Sequence, residues 1–75
     1  MEEWGYDSRV FAERVKDLRK DKNLNTRDFA KALGLNIGVA SSWELGRSTP
    51  SAEALYRVAK YFNVTADYLI GLRND

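Results

Sequence analysis

Residues 24–51 read LNTRDFAKALGLNIGVASSWELGRSTPS, and the architecture follows from this stretch. Asn25 stands as an N-cap ahead of a helix over about 26–33, whose apolar stripe is Phe29, Ala30 and Leu33. Gly34 stops that helix, as a residue at ease in the left-handed region does just past a helix end. Leu35 alone separates it from Asn36, a second cap, so a short turn leads into a third helix over about 37–45. That helix carries Val39, Ala40 and Trp43 and closes at Gly46.

The flanking sequence repeats the same grammar. Upstream, Phe11, Val15 and Leu18 recur at i, i+4 and i+7 between Ser8 and Lys22, with charges at the other positions, which predicts an amphipathic helix. Asp7 or Ser8 caps its start, and it ends near Asn23. Downstream, Pro50 breaks the chain and Ser51 starts a fourth helix with a stripe of Leu55, Val58, Ala59 and Phe62, ended by Asn63. Thr65 caps a fifth helix, Ala66 to Ile70, and Gly71 terminates it. No stretch alternates as a strand would, so the expected fold is all-α, a compact five-helix bundle over residues 8–71. Residues 1–7 and 72–75 are expected to fray. Trp4 and Tyr6 are exceptions, expected to pack as a lid over the end of the first helix.

Composition excludes several functions. Seventy-five residues suffice for one small domain. The absence of Cys and His removes thiolate nucleophiles, cysteine-based zinc sites and the commonest general base. No catalytic residue, metal site or cofactor is expected, since so short a chain has little room for a pocket of about 300 Å3. Apolar runs fall far short of the roughly 20 residues needed to cross a bilayer, and the acidic MEEWGYD start is unlike a secretory signal. The expected location is cytoplasmic, with no membrane partner. The net charge of +1 conceals an asymmetry: residues 1–8 carry −3, residues 9–47 carry nine Lys/Arg against five Asp/Glu, and the remainder balances. A basic middle segment suits a polyanion on one face, although a merely solvated face has the same composition.

Taken together, Leu24, the caps Asn25 and Asn36, Phe29-Ala30, Leu33-Gly34-Leu35, Ala40, Trp43-Glu44, Gly46, Pro50 and Ser51 resemble the helix-turn-helix of the phage-repressor and Cro-type (XRE) family of DNA-binding proteins. The resemblance extends to Phe11, Val15, Leu18 and Arg19 and to the ending VAKYFNVTADYLIG. It implies a lambda-repressor-like bundle that binds double-stranded DNA and regulates transcription, most simply as a repressor. It also implies that the starts of the second and third helices face one duplex, where helix N-termini attract phosphate. Thr26 matches a position at which the family usually bonds a backbone phosphate through glutamine, and Arg47 matches a basic phosphate-contacting position. Asn36 and Arg27 join them, although a solvated side chain on the second helix would account for Arg27 equally well. Arg19 and Glu44 match a largely buried ion pair and are structural.

The third helix departs from the family pattern. Recognition helices normally offer Gln, Asn, Arg or Lys to base edges, but here the outward positions are Ile37, Gly38, Ser41 and Ser42. Readout is then expected to lean on thymine methyls against Ile37 and Val39, on the serine hydroxyls, on close backbone approach at Gly38 and on duplex shape, giving relaxed sequence preference. The alternative is an adaptor whose uncharged face docks a protein partner with little or no DNA affinity. Gly38 reads either as drift at a tolerant position or as clearance for a phosphate or sugar. Ala40 replaces a large aliphatic residue, a volume Trp43 can fill. Tyr56, Tyr61 and Tyr68 are spaced too irregularly to form one stacking face. Tyr68, Leu69 and Leu72 are available for a homodimer contact through the C-terminal helices, which would set two recognition helices about 34–36 Å apart.

Overall fold

A computed structural model describes residues 5–75 as five helices: α1 (Ser8–Asp21), α2 (Thr26–Ala32), α3 (Ile37–Glu44), α4 (Ala52–Phe62) and α5 (Ala66–Ile70). All are short, and each begins with a side-chain cap. Asp7, Asn25, Asn36, Ser51 and Thr65 accept hydrogen bonds from the N–H groups of Arg9, Asp28, Gly38, Ala54 and Tyr68. Such caps matter here because isolated helices shorter than about 12–15 residues are marginal by propensity alone. At α1 the cap is Asp7, whose carboxylate is held below the usual range by hydrogen bonds from the Arg9 side chain and then its backbone. Ser8 does something else. Its hydroxyl donates to the carbonyl of Gly46 at 2.9 Å and so ties the start of α1 to the end of α3.

Helix ends follow from left-handed residues. Asn23 and Asn63 sit at φ 58° and 57°, and Gly34 at φ 69° lets the chain reverse within the turn between α2 and α3. At Gly71 both conformation and space are restricted: φ is 92°, and a Cβ there would lie 3.2 Å from Val10 Cγ1.

One core serves all five helices. Phe11, Val15, Phe29, Ala30, Leu33, Ala40, Trp43, Val58 and Leu69 form a single buried cluster, with Leu18, Leu24, Leu35, Leu55 and Phe62 packed against it. Trp43 meets Phe11 edge to face with centroids 5.5 Å apart, so its volume is spent in the core beside Ala40. Ala12, outside the predicted stripe, is also buried. The helix that carries the site, α3, packs on both α1 and α2.

Several expectations need correction. Leu69 is 0% exposed at the base of the core, so it cannot take part in a dimer contact. Tyr68 lies beneath the Arg14 guanidinium, 4.4 Å from the ring centroid, which leaves Leu72 as the exposed apolar residue of that trio. Arg14 also donates to the carbonyl of Tyr68, to that of Arg73 at 2.7 Å and to Asn74 Oδ1 at 3.4 Å. Residues 73 and 74 are therefore pinned to α1 where fraying was expected. Trp4 lies outside the described residues. Tyr6 is 44% exposed. The other tyrosines diverge: Tyr56 is exposed, while Tyr61 packs edge-on against Phe62.

The strongest polar contact joins α1 to α3. Arg19 Nε donates to Glu44 Oε2 at 2.6 Å and Nη2 to Oε1 at 3.0 Å, while Nη1 reaches the carbonyl of Leu24 at 2.7 Å. The two side chains are only 12% and 9% exposed. Removing one partner strands the other, at a cost of about 3–5 kcal/mol, against a total stability of about 4–11 kcal/mol for a chain of this length. Glu44→Ala is therefore expected to lower the urea midpoint sharply. The double change Arg19→Met with Glu44→Leu should cost much less, and equal losses would show that the pair is not desolvated.

Candidate nucleic-acid interface

Helix α3 turns Ala40 and Trp43 inward, and the opposite side is open. By helical spacing Gly38, Ser41, Ser42 and Leu45 share that side, with Ile37 and Val39 on its flanks. Ile37 is 45% and Val39 43% exposed, and Leu45, the residue that closes the helix, is 63% exposed. Among the described residues none closes over Ile37, Gly38 and Val39, which are exposed, while Ser41 and Ser42 are half-buried. Two depressions border it. One, of about 570 Å3, lies between α3 and the start of α4, lined by Gly38, Val39, Ser42, Ser48 and Thr49. The other, of about 250 Å3, brings together Lys16, Thr26, Ser41 and Leu45 from α1, α2 and α3.

The first turn of α3 explains Gly38 differently from either sequence reading. Asn36 Oδ1 accepts the Gly38 N–H at 2.7 Å, and a Cβ at position 38 would sit 3.0 Å from that same oxygen. Glycine leaves room for its own cap. Its N–H is thereby engaged, so the backbone of Gly38 offers a bare surface and no donor. Asn36 retains its amide NH2 for an external acceptor, and at α2 Asn25 engages the N–H of Asp28 at 2.8 Å.

Three cations, Lys16 on α1, Arg27 on α2 and Arg47 just after α3, stand outside the ion pairs of the described residues. Among the described residues, ion pairs join Arg9 to Asp7, Arg19 to Glu44, Arg57 to Glu53 and Arg73 to Asp75, and none involves Lys16, Arg27 or Arg47. Arg27 and Arg47 are exposed on α2 and just after α3. The backbone of Arg47 is fixed by its N–H donating to the Ser42 carbonyl at 2.9 Å. Glu44 also borders the smaller depression, but both its oxygens are taken by Arg19.

The structure therefore brings Thr26, Ser41 and Lys16 to one depression and Gly38 and Ser42 to the other, with Ile37 exposed on the flank of α3 nearer Ser41. Lys16 and Leu45 were missed from the sequence. For Lys16 the signal was its place three residues before Arg19, on the side of α1 that faces α3; for Leu45 it was the seven-residue spacing from Gly38.

A family profile described as helix-turn-helix matches residues 15–69, from the middle of α1 to the end of α5. The chain belongs to the helix-turn-helix family, of the XRE type. This helix-turn-helix chain is 37% identical over 60 residues to the transcriptional activator BcrR of Enterococcus faecalis, covering 80% of this chain and 29% of that protein. It is 32% identical over 63 residues to the HTH-type transcriptional regulator YazB of Bacillus subtilis, covering 84% and 91% of the two chains. A 10 kDa protein of the ImmF control region of Bacillus phage phi105 is 36% identical, over 84% of this chain and 70% of that one. The crystal structure of a transcriptional regulator from Listeria innocua superposes with a TM-score of 0.75 at 31% identity, covering 81% of this chain and 57% of that one. The chain thus spans less than a third of the activator's length and most of YazB's. No described helix is long and apolar enough to cross a membrane.

Within this family frame the cap at Asn36 makes a specific demand on its neighbour. Gly38→Ala should stabilise the helix by up to about 1 kcal/mol once the cap is removed by Asn36→Ala, because alanine is the better helix former. With Asn36 present the gain should shrink, since the new methyl crowds Oδ1. A double-mutant cycle by urea unfolding checks this, and additive effects would contradict it.

Proposed function

We propose that this chain binds double-stranded DNA and regulates transcription, with α3 entering the major groove. The observation that carries the reading is the exposed first turn of α3, with Lys16, Arg27 and Arg47 outside every ion pair among the described residues and α3 held to α1 by a nearly buried ion pair. In this proposal Thr26, Asn36, Arg27 and Arg47 meet backbone phosphates, and Lys16, which shares a depression with Thr26, joins them. Ile37, Gly38, Ser41 and Ser42 face the base edges. Repression is the simplest mode, because a domain seated on DNA blocks another protein by occupancy alone. The relatives' names support regulation of either sign, since they include an activator and a repressor of a cryptic phage.

Two copies related by a two-fold axis would read two half-sites about 34–36 Å apart. The exposed Leu72 near the end of the chain is the apolar residue best placed for that contact.

The test is a titration into mixed-sequence duplex at two salt concentrations. Each phosphate neutralised lowers log K by about 0.9 per unit of log salt. Arg47→Ala should weaken binding to all duplexes alike and reduce that slope by about 1, whereas Ser42→Ala should change the order of preference among them. Absence of binding at about 50 mM salt would overturn the reading and leave a protein-docking face in its place.

A further inference from the structure

The chemistry of the α3 edge narrows what it can read in a groove, and the inference rests on the DNA-binding reading above. Within α3 itself, each long or charged group that could pair with a base edge is missing or occupied. Residues 37–45 contain no Lys, Arg, Asn or Gln. Glu44 is held by two bonds from Arg19, and the Gly38 N–H is held by Asn36. What remains is the aliphatic side chain of Ile37, with Val39 on the other flank, and the hydroxyls of Ser41 and Ser42.

An aliphatic group pressed against a purine edge would strip water from N7, O6 or N6 and return no hydrogen bond, which costs affinity. The one apolar group on a base edge in the major groove is the methyl carbon at C5 of thymine. The hydroxyl is the complement of this limitation. A serine O–H both donates and accepts, so it pairs as well with the O4 acceptor of thymine as with the N4 amino group of cytosine. The hydroxyls therefore do not distinguish the two pyrimidine rings, and the methyl contact is left to discriminate.

We infer that the α3 edge recognises the C5-methyl group of a pyrimidine, mainly through Ile37, and accepts 5-methylcytosine in place of thymine while discriminating against uracil and unmethylated cytosine. Ile37 lies on the flank shared with Ser41, so the methyl and the hydroxyl contacts fall on one side of the helix. Burying one methyl group corresponds to about a fourfold change in affinity.

The experiment uses duplexes selected by the whole chain from a random pool and resynthesised with single-base replacements. At a contacted T·A pair, deoxyuridine should weaken binding by about fourfold, and a C·G pair should weaken it by at least as much. A 5-methylcytosine·G pair at that position should return affinity to within about twofold of thymine. Ile37→Ala should erase the difference between thymine and uracil and leave the salt slope unchanged, and since the residue is half exposed the fold is spared. Equal binding of thymine and uracil duplexes at every position, or 5-methylcytosine no better than cytosine, overturns the inference while DNA binding itself stands. Failure of every duplex to bind at low salt overturns both.

Discussion

A guanidinium and a carboxylate, both nearly removed from solvent and joined by two hydrogen bonds, hold α3 against α1. A single further hydrogen bond among the described residues, from Ser8 to the Gly46 carbonyl, ties the other end of α1 to the same helix. The core would tolerate some sliding of one apolar stripe on another, because dispersion and burial are non-directional. Two parallel N–H···O bonds with a third to the Leu24 carbonyl are directional, and they couple three segments at once: α1, the entry to α2, and the end of α3. The pair adds little net stability, given the cost of desolvating both ions. Its contribution is geometric, and the positions of Lys16, Thr26 and the α3 edge relative to one another depend on it.

That geometry separates two tasks. The cations and the hydroxyl of Thr26 lie at the margins of the site, suited to a uniform rail of phosphates. The middle of α3 is nearly devoid of charge and presents methyl groups, hydroxyls and a bare glycine. A family whose members usually place amides at those positions gains base discrimination from bidentate hydrogen bonds. On the proposed reading, a chain without those amides depends on phosphate contact, shape and apolar contact, with a lower ceiling on sequence discrimination.

Most of the architecture was legible in the sequence because caps and terminators are local. Asn25, Asn36, Ser51 and Thr65 bond to N–H groups within three residues, and Asn63 and Gly34 stop helices through their own backbone angles, so no tertiary knowledge was needed. The features that escaped are those that depend on distant segments. Leu69 read as available for a partner, but the packing of α5 against α1 and α4 buries it. Arg14 read as one more surface charge, and its three acceptors lie more than 50 residues away. Lys16 joined the site only when α2 and α3 were folded beside it. Gly38 stayed open between two readings for the opposite reason: the structure adds a third, local one, but it concerns the oxygen of a neighbouring side chain, a detail that residue type alone does not convey.

The most direct measurement is an NMR titration of the chain with duplex DNA, following backbone amides residue by residue. Perturbations concentrated on Thr26, Arg27, Ile37 to Ser42 and Arg47, with α4 and α5 unmoved, are the result that a groove-seated α3 requires. Perturbations centred on Tyr56, Tyr61 or Leu72, with α3 silent, would contradict it.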